Sequence, residues 1–312
     1  MSASRKNIVL ILADDMGFSD IGLFGSEIPT RNIDSIGRGG VSFTQGYNCA
    51  RCCPSRAALL TGLYPHQAGI GHMVTDLGIR EYQGYLNERC ATIAEVLRLH
   101  GYRTSISGKW HVGGNYAVRR PGTWRIGDRQ HPTPSQRGFE EFFGTLEGAG
   151  SYFNPHTLMH NSELVPTAPE GFYYTDAISD HATEQIRCAH RASKPFFAYV
   201  SYTAPHWPLH ALPEDIARFE GWYRGGWERL RRERYERLIA QKIIDPKWRL
   251  SERDPKAPAW KDSAHHDWQA MRMAVYAAQI SRMDQGIGRI LQAIEEGGGF
   301  KTVEITETQN WH

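Results

Sequence analysis

Long hydrophobic runs are missing from this 312-residue chain. No apolar stretch approaches the roughly 20 residues of a membrane-spanning helix, so no membrane association is expected. The run Ile8 to Ala13 is too short for the core of an export signal and leads straight into two acids. The chain as written therefore reads as cytoplasmic; a periplasmic or secreted protein would need a leader removed from it. A dominant charge is lacking too. Lys and Arg number 36 against 34 Asp and Glu, a net charge of +2, which implies no nucleic-acid partner. Cysteine is scarce, five in all with three clustered at 49, 52 and 53, which excludes a disulfide framework. What remains is an ordinary globular composition, long enough for one large α/β domain or two small ones.

Lys6 to Ala13 contains a continuous apolar run that predicts a strand buried on both faces, as in a parallel sheet. It ends at Asp14-Asp15. Adjacent carboxylates there repel each other and require something positive nearby. Open α/β sheets place ligands at that edge, and a hard cation, calcium or magnesium, suits carboxylate oxygens. A solvated turn is the competing reading. A short helix through Ile33 and Ile36 follows, with Asn32 and Asp34 as capping or surface residues. Thr92 to Leu99 predicts a helix and Tyr102 to Ile106 a strand. Lys109 and His111 flank Trp110 just beyond it; on extended backbone they share one face and offer two donors to an oxyanion.

Residues 112–172 are loop-rich, and His156 and His160 read as loop histidines. Thr175 is expected to cap a helix from about Asp176 to His190. Lys194 to Tyr202 reads as another buried strand, leading to Ala204-Pro205-His206-Trp207-Pro208-Leu209, a histidine held between prolines at the same sheet edge. Residues 212–263 read as a charged surface insertion: Arg231, Arg232 and Arg234 form a solvated helix face, with Trp222, Tyr223 and Trp227 at a substrate mouth. A helix from about Asp267 to Glu296 buries a stripe including Met271, Val275, Ala278 and Ile287. Gly297-Gly298-Gly299 ends it.

The densest chemistry lies in Cys52-Cys53-Pro54-Ser55-Arg56-Ala57-Ala58-Leu59-Leu60-Thr61-Gly62. Pro54 suits a first helical position and Gly62 the stop. That puts Cys52 at the positive end of a helix, where a thiolate or an anionic substrate is stabilised. The residues alone leave several readings open. Cys49 and Cys52 form a C-x-x-C, either a redox pair or half of a zinc site that would need His66 or His72, because Cys90 and Cys188 stand isolated. Otherwise Cys52 is a buried small hydrophobe or a reactive residue.

The whole string resembles the sulfatase signature C-x-P-S-R-x-x-x-L-T-G at every fixed position. Gly108-Lys109-Trp110-His111, the segment Gly138 to Gly144, Ala204 to Leu209 and Met283 to Leu291 resemble further motifs of that family, so the likeness covers most of residues 6–299. It implies an α/β fold, a mostly parallel central sheet with helices on both faces, and one catalytic domain carrying the 212–263 insertion. It implies that a formylglycine-forming enzyme oxidises Cys52 to formylglycine, with Cys53 in the variable slot. Asp14, Asp15 and residue 52 would bind calcium, or magnesium. Arg56 would anchor the modified side chain, Lys109 neutralise sulfate oxygens, His111 act as base for sulfate release, and His206 as donor to the leaving oxygen. Ser151 lies where some members supply a substrate-contacting hydroxyl.

The implied substrate is a small-molecule or carbohydrate sulfate ester. Hydrolysis of a phosphodiester or phosphonate ester, as in other members of the alkaline phosphatase superfamily, is the alternative, and a catalytically inactive remnant is the third reading. The likeness ends at residue 300. The family continues with a strand ending in Asp-Asn-Gly and, later, a second lysine. Here Phe300 to His312 alternates Val303 and Ile305 with charges. The expectation is therefore weak metal binding and little sulfatase activity for the chain as written.

Overall fold

In a computed structural model, residues 5–116, 122 and 124–298 are described, together with the backbone of 303–308. The chain divides into two compact units. Among the described residues, one comprises those up to Met16, those of Tyr47–Pro208 and those from Gly286; the other comprises Gly17–Gly46 and Leu209–Gln285.

The first unit is built on a seven-stranded sheet. Its strands are β1 (Asn7–Asp14), β2 (Arg103–Gly108), β3 (Glu141–Thr145), β4 (Leu158–His160), β5 (Glu163–Leu164), β6 (Phe196–Pro205) and β7 (Val303–Thr308), in the spatial order β5-β4-β3-β2-β6-β1-β7. β6 pairs in parallel with both β1 and β2, β3 continues parallel to β2, and β4 and β5 are antiparallel. Every residue of β6 is buried, as its apolar run requires of a central strand covered on both faces. The register sets Asp14 opposite Pro205 and Gly108 opposite Ser201, so three strands deliver their following residues to one edge. The mostly parallel sheet expected from the sequence is the one found. The backbone of 303–308 also joins it, parallel to β1 from Asn7↔Val303 to Leu12↔Thr308.

The helices in chain order are α1 (Arg31–Gly39), α2 (Cys52–Thr61), α3 (Pro65–Ala68), α4 (Ile93–Leu99), α5 (Tyr174–Arg191), α6 (Pro213–Ala217), α7 (Trp227–Ala240) and α8 (His266–Glu296). Within the first unit, α2 and α4 cover one face of the sheet and α5 the other. Alternate strand residues Leu10, Leu12, Phe197 and Tyr199 form a core with Ala57 and Leu60 of α2 and Ala94 of α4. The alternating set on β6 faces the other way, where the Tyr202 hydroxyl meets Ser179 of α5 at 2.7 Å. Full burial of such large side chains stabilises by about 1.5–3 kcal/mol each. α4 begins with a capping box: Thr92 Oγ1 accepts from Glu95 N at 3.1 Å, and Glu95 accepts from Thr92 N at 2.6 Å.

Several boundaries differ from expectation. α2 begins at Cys52, not at Pro54, with Arg51 as N-cap. Proline lacks an N–H, but the first four N–H groups of a helix have no intrahelical acceptor, so Pro54 is tolerated inside the first turn. α5 begins at Tyr174, and Thr175 is buried within it instead of capping it. Ala278 and Ile287 of α8 are buried as the expected stripe requires, whereas Met271, near the start of the helix, is exposed.

In the second unit, Asp284 accepts from the backbone N of Asn32 and Ile33 at 3.0 and 2.9 Å, satisfying the first turn of α1 from a distant part of the chain. Asp34 is buried and accepts from Leu23 N at 2.8 Å. Arg234 does not lie on a solvated face. It pairs with Asp20 and, at 2.8 Å, with Glu27, and the Tyr276 hydroxyl donates to Asp20 at 2.7 Å. Leu230 and Leu238 of α7 are buried. Tyr223 and Trp227 line a cavity of about 600 Å³ with Leu230, Leu238, Met273 and Tyr276; Trp222 is exposed.

Candidate active site

β1 ends in the buried Asp14, and Asp15 follows with φ 62°, a left-handed conformation that aspartate tolerates and that turns the chain off the strand. β2 ends at Gly108, φ 116°, and Lys109 then donates its backbone N–H to Ser201 O at 2.8 Å. The Lys109 side chain is fully buried and its ammonium is ion-paired with Asp14 Oδ2. From α2, Arg56 reaches the same carboxylate, Nη2 to Oδ2 at 3.3 Å. Its Nη1 donates to the Lys109 carbonyl at 3.1 Å, to the Tyr199 hydroxyl at 3.3 Å and to Ser201 Oγ. Burial alone would raise the Asp14 pKa. Lys109, and then Arg56, outweigh it and hold the carboxyl well below its usual range.

Cys52 sits in the first turn of α2, buried and four residues before Arg56. Burial pushes its thiol up despite Lys109 and Arg56, so the unmodified side chain is a poor source of thiolate at neutral pH. From β6, His206 donates Nδ1–H to the Trp207 carbonyl at 2.5 Å, and its Nε2 lies 3.3 Å from Asp15 Oδ2. Burial and Lys109 lower its pKa, with Asp14 and Asp15 acting in the opposite sense. Asp14, Cys52 and His206 offer ligand atoms within 4.8 Å of one another, the one such group of three among the described residues. His66 instead stacks edge-on against Tyr82, and the five cysteines are free.

The backbone at Lys109 to His111 is not the extended ribbon anticipated. His111 has φ 56° and its N–H donates to Leu146 O at 3.2 Å. Trp110 is buried with its indole N–H on Pro132 O at 2.8 Å. The His111 ring packs against Gly148, where a Cβ would come within 2.1 Å of Cε1. Its Nε2 lies 3.3 Å from Cys53 Sγ. Burial, then Lys109 and Arg56, hold its pKa well below the ordinary value, so the ring is neutral.

Ser151 lies on a neighbouring loop, its Oγ accepting from Phe153 N and Asn154 N, each at 3.2 Å. His156 lines the same recess, and His160 packs against Phe143 and His181. The expected site residues Asp14, Cys52, Arg56 and Lys109 thus converge, Asp15 is linked to them through His206, and His111 joins through Cys53. Residues not foreseen are Tyr199 and Ser201, which seat Arg56, and Cys53, Met73 and Gly148 around His111. An alternating buried strand gives no signal that two of its hydroxyls serve a guanidinium.

Asp15, expected beside Asp14 in a metal site, lies outside the group of three and faces His206; both carboxylates offer hard oxygens of the kind that calcium or magnesium takes. The sulfur of unmodified Cys52 does not suit such an ion, whereas an oxygen at that position would. The donor set therefore fits a hard divalent cation when residue 52 carries oxygen.

A mostly parallel sheet whose strand ends gather acids, a lysine and histidines around the first turn of a helix defines an α/β scaffold with a densely charged edge. The chain belongs to the sulfatase family, whose family model matches residues 6–303. It is 34% identical to an arylsulfatase of Klebsiella aerogenes over 98% of this chain and 66% of that protein. It is 33% identical to an uncharacterised sulfatase of Schizosaccharomyces pombe over 95% of this chain and 55% of that one. The chain thus spans about half to two thirds of the length of these relatives. The crystal structure of Ps i-CgsB in complex with k-i-k-neocarrahexaose superposes with a TM-score of 0.70 at 27% identity, covering 98% of this chain and 58% of that chain. The fold is shared also with the phosphonate monoester hydrolase of Agrobacterium radiobacter, at a TM-score of 0.60 and 20% identity.

Proposed function

We propose that the site carried by this chain is that of a sulfate monoester hydrolase acting through residue 52, converted from cysteine to formylglycine by a formylglycine-forming enzyme, with low turnover expected of the chain as written. The observation that carries this reading is the convergence of Arg56, Lys109 and Asp14 on the first turn of α2, where the signature places Cys52. A hydrated aldehyde at that position supplies both a nucleophilic oxygen and a second hydroxyl through which sulfate is released. A calcium or magnesium ion held by Asp14 and Asp15 supplies polarisation of the sulfate oxygens.

The chain's own residues do the rest. Arg56 orients residue 52 and balances the charge of Asp14. Lys109 donates to the sulfate oxygens, where negative charge accumulates. His111, neutral at working pH, takes the proton at sulfate release; His206, fixed through Nδ1–H by the Trp207 carbonyl, gives the leaving oxygen a proton from Nε2 when it enters the step as the imidazolium paired with Asp15, and is left neutral. Carbohydrate or aryl sulfates are the proposed substrate class. The likeness to the complex with k-i-k-neocarrahexaose supports the first and the arylsulfatase relative the second.

The test is co-expression with a formylglycine-forming enzyme, peptide mass spectrometry, and parallel assays with an aryl sulfate and a phosphate diester. An aldehyde at position 52 and sulfate turnover lost in Cys52→Ala are expected. An aldehyde at position 53, or a Cys49–Cys52 disulfide under reducing conditions, rejects the reading. Faster turnover of the diester assigns the site to phosphoester chemistry.

A further inference from the structure

Cys53 has no part in the chemistry above, yet its buried sulfur touches the ring that does. Sγ lies 3.3 Å from His111 Nε2 and, on its other side, 3.9 Å from Met73 Sδ. A thioether carries no proton and can only accept, so Cys53 supplies the proton of that contact. With S–H directed at Met73, the remaining lone pairs of Sγ face His111, and Nε2–H is the donor. A neutral imidazole has one N–H, so Nδ1 keeps a bare lone pair. Nδ1 is buried without a protein partner among the described residues. The opposite arrangement, S–H to Nε2, would leave Nδ1–H equally unpartnered and would in addition set the lone pairs of Sγ against those of the Met73 sulfur, so the Met73 contact selects Nε2–H. Gly148 against the ring face keeps the imidazole in place.

We propose that Cys53, backed by Met73, is a positioning residue that holds His111 as the Nε2–H tautomer and leaves Nδ1 as the proton acceptor. The link to catalysis rests on the sulfatase reading; the tautomer does not. In that reaction an O–H bond at the reacting centre breaks and Nδ1–H forms. The electron pair stays on oxygen, and the imidazolium returns its proton to water.

The experiment reads the proton directly in the unmodified full chain. Protein labelled with ¹⁵N-histidine is examined by long-range ¹H–¹⁵N correlation, with the His111 signals identified by their absence in His111→Gln. The expected wild-type pattern is a protonated Nε2 and an unprotonated Nδ1. Cys53→Ser, which retains a hydroxyl acceptor, should preserve it. Cys53→Val should shift His111 to a mixture of tautomers without changing the other histidine signals. A wild-type Nδ1–H tautomer, or an unchanged pattern in Cys53→Val, overturns the proposal. If the variants do not fold, the wild-type pattern alone decides. Because no turnover is measured, the expected tautomer in a chain inactive on sulfate esters would sink the functional reading and leave this inference standing.

Discussion

Arg56 shows at the residue scale how a motif side chain serves stability and site together. Its guanidinium is fully buried, and its partners come from the end of β1, from Lys109 just past β2, and from within β6. Removing one member of a buried ion pair leaves the other charged and uncompensated, which costs about 3–5 kcal/mol. Arg56→Ala should lose an amount of that order in urea unfolding, and Arg56→Lys less, because the charge remains while the planar fork is lost. A loss below about 1 kcal/mol would mean that Lys109 alone neutralises Asp14. The sequence named Asp14, Arg56 and Lys109 as site residues from their motifs. That the two cations share one carboxylate oxygen could not be read there, because Lys109 and Asp14 are 95 positions apart.

At the scale of elements, the site depends on how β2 leaves the sheet. Gly108 has φ 116°, and a Cβ there would lie 1.9 Å from Ser201 O, the acceptor for Lys109 N. Gly108→Ala therefore combines an unfavourable backbone conformation with a collision against β6. A loss of about 2–4 kcal/mol is expected, and Lys109 should be displaced from Asp14. Chemical denaturation gives the first, and the crystal structure of the variant gives the second. A variant as stable as wild type would show that β2 and β6 can separate at this point without cost. The central strands β1, β2 and β6 were legible, because apolar runs bounded by glycine and acids specify buried strands, whereas β3, β4 and β5 fall within the stretch 112–172 that reads as loop-rich. Helix starts were less so: the first turn of α2 tolerates Pro54, and α5 takes its start from Tyr174, whose hydroxyl lies 3.1 Å from Thr145 Oγ1 across the fold.

For the molecule as a whole, the response of stability to pH follows from groups whose titration changes on folding. Glu147 lines a recess with Ser151, Thr157 and Thr203, and burial pushes its pKa from 4.5 to about 7. The folded state holds this proton more tightly than the unfolded chain. Its contribution to stability is therefore full below pH 4.5 and is lost as pH rises to about 7. Asp14 behaves in the opposite sense: its folded pKa is depressed below 3.8, so its contribution is present above that value and lost on further acidification. Glu147→Gln should become progressively more stable relative to wild type between pH 4.5 and 7, with the acid limb unchanged. Urea midpoints across that range provide the check, and parallel curves for the two proteins would show that the carboxyl is solvated.

The sequence by itself determined the family, the three strands whose ends meet at one edge, and the identities of Asp14, Cys52, Arg56, Lys109 and His206 as neighbours. Those features are written locally, as apolar periodicity and as short motifs whose residue spacing is their signal. Only the tertiary structure decided that Asp14 is shared by two cations, that Arg234 belongs to a buried ion-pair network, and that Cys53 connects His111 to Met73. Each of these is a contact between segments far apart in the chain. Its geometry is set by strand register and helix packing, and no local pattern encodes which distant charge or sulfur will lie within reach.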